Sequence, residues 1–143
     1  MSEIVRDIAA LVAPQKSFRD VALDVDISGS LPRVALGGEQ LMQVLLNLVL
    51  NAADACGVGG HVRLHAHARG ANVELSVEDD GPGVSEEVAD RLFEPFVTTK
   101  ASTRGTGLGL AVCRGLVESV NGRIWLDREH APGARFVVEL PRG

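Results

Sequence analysis

The chain predicts an α+β fold: a two-layer sandwich with helices on one face of a mixed, mainly antiparallel sheet. Three observations carry this expectation. "HVRLHAHA" (61–68) and "VELSVED" (73–79) alternate strictly and are separated only by a turn over Arg69–Asn72, the pattern of an antiparallel hairpin. "RIWLDR" (123–128) and "RFVVELP" (135–141) repeat that pattern around "APG". Elsewhere, apolar residues recur at helical spacing over 3–13, over 39–56 and from near Leu108.

Taken in order, Ile4, Val5, Ile8, Leu11 and Val12 form one helical face, and Pro14 stops that helix. "VALDVDIS" (21–28) alternates apolar with acidic residues and reads as a strand, followed by a turn in "GSLPR". Gly37 and Gly38 precede the long helix over 39–56, which "GVGG" ends. After the first hairpin come a loop with Gly81, Pro82 and Gly83, a short helix over 85–93 and an irregular stretch over 94–107. The last helix runs from near Leu108 to "NG" at 121–122.

At 143 residues the expectation is one domain over 1–143. Apolar residues make up 45% of the chain and aromatics only 3%, so the core is built from Leu, Val, Ile and Ala. A net charge of −5 without a basic block argues against nucleic acid and against membrane contact by this domain. Cys56 and Cys113 lie in apolar helical contexts without metal-type spacing and read as small buried thiols of a reducing cytosol. No signal peptide is expected from the chain's opening residues, and no apolar run of about 18 residues occurs. His61, His65, His67 and Arg63 share the outward face of their strand, and the H-x-H pair has no evident third ligand.

Three stretches bear on chemistry. In "EQLMQVLLNLVLNAADAC", Leu41, Leu45, Leu48, Ala52 and Ala55 share one face, while Gln40, Gln43, Asn47, Asn51 and Asp54 share the opposite one. Asparagine is a poor helix former, so two of them four apart cost stability without a local return. Amide oxygens suit hard cations and amide nitrogens suit phosphate, although on the helix alone capping or bridging of neighbouring backbone is the favoured explanation of the pair. In "VEDDGPGV", Asp79 ends a strand and the glycines permit a close backbone approach; taken alone this is a common turn, but a carboxylate there can also accept a hydrogen bond from the exocyclic amine of a base, while Asp80 reads as a solvated turn residue. In "RGTGLGLAV", Gly105, Gly107 and Gly109 expose successive N–H groups where a helix begins, an anion site flanked by Thr98, Thr99, Lys100, Ser102, Thr103 and Arg104. It matches neither a Walker loop nor the dinucleotide fingerprint.

Together, "NLVLNAADA", "DDGPG", "FEPF" and "GTGLGL" resemble the N box, first glycine box, F box and second glycine box of the catalytic, ATP-binding domain of sensor histidine kinases. These belong to the wider group of gyrase, heat-shock chaperone and mismatch-repair ATPases, with a Bergerat-type fold. The resemblance covers 3–141, with a closing hairpin in "GRIWLDREHAPGARFVVELP". It implies that Asn51 coordinates Mg²⁺ at the phosphates of ATP, with Asn47 assisting, and that Asp79 binds the adenine amine. Gly81, Gly83 and Val84 would approach the base. Gly105, Thr106, Gly107, Leu108, Gly109 and Leu110 would form the phosphate loop and its helix, reached by Thr99, Lys100 and Arg104. Phe93 and Phe96 would anchor a lid over about 84–107. The family often carries a basic residue where this chain has Asp54, so the missing charge falls to Lys100 or Arg104.

Asn47 separates the chemistries. In the resembling hydrolases and anti-sigma serine kinases a glutamate, the general base, stands four residues before the metal asparagine; an asparagine there accepts no proton. A neutral imidazole already offers a lone pair. The resemblance therefore implies phosphoryl transfer to histidine, with Asn47, Asn51 and Lys100 as catalytic residues. The alternatives are an ATP hydrolase or serine kinase, and a nucleotide-binding module without catalysis. None of His61, His65, His67 or His130 stands in the acceptor context. The implied partners are thus a separate phosphoacceptor and dimerisation domain and a response regulator or receiver domain. The expectation is a monomeric cytoplasmic domain, more a fragment of a longer kinase, itself membrane-anchored or not, than a stand-alone module.

Overall fold

The computed structural model describes residues 2–12, 22–28, 31–56, 59–81, 109–127 and 133–143. Its elements in chain order are α1 (Ser2–Val12), β1 (Ala22–Ser28), α2 (Gly38–Cys56), β2 (His61–Arg69), β3 (Asn72–Asp79), α3 (Gly109–Glu118), β4 (Arg123–Leu126) and β5 (Arg135–Pro141). The five strands form one sheet in the order β1-β2-β3-β5-β4. β1 runs parallel to β2, and every other neighbour is antiparallel. The expected mixed, mainly antiparallel sandwich is the observed one.

Alternation explains which face each strand buries. Val62, Leu64 and Ala66 of β2 stand opposite Asp79, Val77 and Leu75 of β3, and all are buried. Phe136, Val138 and Leu140 of β5 continue that face, which packs with Leu41, Val44, Leu45, Leu48 and Val49 of α2 into one core. α2 lies over β2 and β3, α1 over β1, and α3 over β4. A leucine fully buried in such a core contributes about 1.5–3 kcal/mol, which outweighs the poor propensity of the two asparagines on the same helix.

The helix ends follow their sequences. Leu41 N–H donates to the Gly37 carbonyl, and Gln40 Oε1 reaches back to accept the Gly37 N–H at 3.2 Å, half of a capping box. At the end of α3, Gly122 N–H donates to Val117 and Asn121 N–H to Glu118, with Asn121 at φ 62: a Schellman cap.

The last hairpin departs from expectation. The strand expected over 123–128 ends at Leu126. Asp127 still donates its N–H to the Arg135 carbonyl, but its carboxylate turns to the Arg135 guanidinium at 3.0 Å as the chain leaves the ladder. The short helix expected over 85–93 lies outside the described residues.

The other sheet face is polar and ion-paired across all its strands. His65 lies 3.3 Å from Asp26 on β1 and 3.5 Å from Glu78 on β3. Arg135 reaches Asp127, Glu74 and Glu78. Glu74, though on this face, is buried and takes Arg69 at 2.9 Å. Arg123 pairs with Glu139 at 2.9 Å and stacks over Trp125. His65 and His67 thus stand on the outward face, half-buried against acidic neighbours. Among the described residues no group of three His, Cys, Asp or Glu side chains could hold a metal ion.

Candidate functional site

Asp79 is the last residue of β3 and only 5% exposed. It falls on the helix-covered face, opposite Val62, so its carboxylate is buried among apolar neighbours. Its Oδ1 accepts the Gly81 N–H at 2.9 Å and the Ala134 N–H at 3.4 Å. Its own N–H donates to the Ala134 carbonyl at 2.9 Å. The carboxylate is thus held rigidly by backbone donors from its own turn and from the start of β5. Such a fixed, buried acceptor suits recognition of an amine hydrogen.

Gly133 makes this possible. At φ +86, a β-carbon there would come within 1.9 Å of the Asp79 carbonyl oxygen, so only glycine permits the approach. Its local sign in the sequence is the "APG" turn, which tells nothing of Asp79.

Asp80 is exposed, as expected of a solvated turn residue, and also bonds to β2. Its Oδ1 accepts the His61 N–H at 3.0 Å, and its Oδ2 lies 3.2 Å from His61 Nδ1. The His61 backbone N–H, helped by the His61 side chain, holds its carboxyl below the ordinary value of 3.8 against the opposing desolvation. Asp79 and Asp80 therefore tie the root of the glycine turn to β5 on one side and to β2 on the other.

The polar stripe of α2 reaches α3 through Asn47. Gln40 and Gln43 are exposed, whereas Asn47 and Asn51 are half-buried. Asn47 Nδ2 donates to the sulfur of Cys113 at 3.5 Å. The Cys113 thiol donates in turn to the Val44 carbonyl at 3.8 Å. Burial pushes this thiol up to about 11, with the Asn47 bond opposing, so it stays protonated at neutral pH. Gly109 opens α3 at the positive end of its dipole, and Leu110 packs against the core. The side chain of Asp54 lies outside the described residues, as do Gly83, Val84, Phe93, Phe96, Thr99, Lys100, Arg104, Gly105, Thr106, Gly107 and Leu108.

The structure thus joins Asn47 to α3, sets Asp79 at the end of a strand that α2 covers, and keeps Gly81 on the Asp79 carboxylate. Sequence reasoning missed Gly133, Ala134, His61 and the part of Cys113. Each acts on a residue 19 to 66 positions away, for which one sequence carries no periodic signal.

This α+β sandwich sets a held aspartate at the end of a central strand and an asparagine beside a helix that opens on glycine. Residues 37–143 match the family of histidine kinase-, DNA gyrase B- and HSP90-like ATPases, and the chain belongs to that family. Within it the chain is a histidine-kinase-type catalytic domain. The sensor histidine kinase ZraS of Escherichia coli O157:H7 is 37% identical over 141 residues, 99% of this chain and 30% of that protein. The catalytic domain of the histidine kinase ThkA superposes with a TM-score of 0.88 at 32% identity, covering 99% of this chain and 92% of that one. ThkA in complex with the response regulator TrrA matches with a TM-score of 0.84 at 28% identity, covering all of this chain and 40% of that one. The chain spans between 19% and 33% of the length of the curated relatives compared. No helix among the described residues is long and apolar enough to cross a membrane.

Proposed function

We propose that the chain binds ATP with Mg²⁺ and passes the γ-phosphoryl group to a histidine on a separate phosphoacceptor domain, from which a response regulator takes it in two-component signalling. The observation that carries this reading is residue 47: an amide on the site face of α2, hydrogen-bonded to α3, where a hydrolase needs a carboxylate base.

The donor set suits the nucleotide complex. Asp79 is a buried, fixed acceptor for the adenine amine. Asn51 and Asn47 offer neutral amide oxygens, which match a hard cation that keeps most of its ligands as water and phosphate. When bound, Mg²⁺ neutralises phosphate charge. Lys100 and Arg104 are assigned to the phosphates on the family pattern, and residues about 84–107 to a lid. In the transfer, an imidazole nitrogen lone pair forms the new N–P bond while the bond from phosphorus to the β-phosphate oxygen breaks, and ADP leaves with that electron pair. The chain's own residues supply orientation and charge, not a base. The acceptor domain and the response regulator are partners of the larger protein, and the ThkA–TrrA complex supports that class of partner.

The test mixes the chain, labelled ATP and a dimerisation and phosphoacceptor domain. Acid-labile phosphate on that domain, with negligible phosphate release by the chain alone, is expected. Steady hydrolysis by the chain alone would assign it to the ATPases instead. Nucleotide binding with neither outcome would leave a binding module without transfer.

A further inference from the structure

We propose that Cys113 is a positioning residue for Asn47: its sulfur holds the amide nitrogen, so that the carbonyl oxygen is the atom presented to the phosphate and metal end of the site. The inference rests on the reading of Asn47 as a site residue.

Cys113 lies one turn into α3 and is fully buried. Its sulfur accepts from Asn47 Nδ2 at 3.5 Å and donates to the Val44 carbonyl at 3.8 Å. These two contacts, one turn apart on α2, use both capacities of a thiol, which is one weak donor and one weak acceptor. An amide is planar, with donor and acceptor on opposite edges. Exchanging them would lose the bond to sulfur and set a carbonyl oxygen against a sulfur lone pair. The thiol therefore selects one of the two amide flips. That selection matters at a site for a hard cation, because the cation takes oxygen and is repelled by an NH₂ group. An apolar side chain of similar volume at position 113 would fill the same space yet favour neither flip. Because the sulfur belongs to the helix that Gly109 opens, the same contact also sets the asparagine stripe against the phosphate-end helix.

A double-mutant cycle tests this, read by calorimetric titration of β,γ-imido-ATP with and without Mg²⁺. Cys113→Val is expected to weaken binding in Mg²⁺ by about two- to tenfold, the range of one net hydrogen bond. Binding without Mg²⁺ should stay within about twofold of the parent. Cys113→Ser, which keeps a donor and an acceptor, should restore most of the loss. In an Asn47→Ala background, Cys113→Val should add nothing. Melting of each variant identifies any that is unfolded, and Cys113→Ala then replaces Cys113→Val. Additive losses, or equal losses with and without Mg²⁺, would show that Cys113 only fills the core. If Asn47→Ala alone binds like the parent in Mg²⁺, the placement of Asn47 in the site fails, and this inference fails with it.

Discussion

Gly133 stands behind Asp79 at a separation that admits no side chain: a β-carbon would lie 1.9 Å from the Asp79 carbonyl oxygen and 3.1 Å from its Oδ1. The turn before β5 is therefore the back wall of the aspartate. Gly133→Ala would impose both a positive-φ alanine and a backbone collision. A loss of more than about 2 kcal/mol is expected, visible as a lower melting temperature, together with weaker adenine-nucleotide binding. An alanine variant as stable as the parent would mean that this turn relaxes freely.

Asp79 and Asn51 should fail in different ways. Asp79→Asn keeps an oxygen for the Gly81 and Ala134 N–H groups but replaces the other acceptor with a donor. Folding should change little, while nucleotide affinity falls by about tenfold or more with or without Mg²⁺. Asn51→Ala should instead remove the Mg²⁺-dependent part of the affinity and spare the rest. Titration heats of both variants that match the parent would refute the assignment of the site.

Alkali should expose the buried thiol. The Cys113 thiol moves from its ordinary 9.0 to about 11 on folding. The folded state thus keeps a proton that the unfolded chain has released, so its contribution is complete below pH 9 and is lost as pH rises towards 11. Two pH units correspond to about 2–3 kcal/mol. The chain has no tyrosine and only Lys16 and Lys100 as lysines, so few other groups titrate in this window. Melting curves at pH 7.5 and 10.5 should show the parent losing more stability than Cys113→Val; equal losses would contradict the burial argument.

Acid should loosen the root of the glycine turn. The carboxyl of Asp80 is lowered on folding, first by the His61 N–H. Its contribution is present above the ordinary value of 3.8 and disappears as pH falls through the lowered folded value. The pair is exposed, so the effect is modest and screened by salt. The melting difference between the parent and Asp80→Ala should be present at pH 7 and vanish near pH 2; a difference that survives acid would place the role of Asp80 elsewhere.

Much of the scaffold was legible because it is written in local periodicity. The expected helix over 39–56 is Gly38–Cys56, and the strands expected over 61–68 and 73–79 are His61–Arg69 and Asn72–Asp79. Apolar positions at the period of each element, with glycines at the ends, suffice for that. Strand order was not legible. That β1 pairs parallel with β2, and that β5 inserts between β3 and β4, depends on which faces meet, and alternation alone does not say.

The sequence by itself determined most of the described helices and strands, the faces they bury, the candidate residues Asn47, Asn51 and Asp79, and the absence of a carboxylate base at position 47. Only the tertiary structure decided what holds those residues: Ala134 and Gly133 behind Asp79, His61 on Asp80, and Cys113 on Asn47. The physical reason is range. Propensity and hydrophobic period act over a few residues along the chain, whereas a hydrogen bond acts over about 3 Å in space, and packing alone brings residues 47 and 113 within its reach.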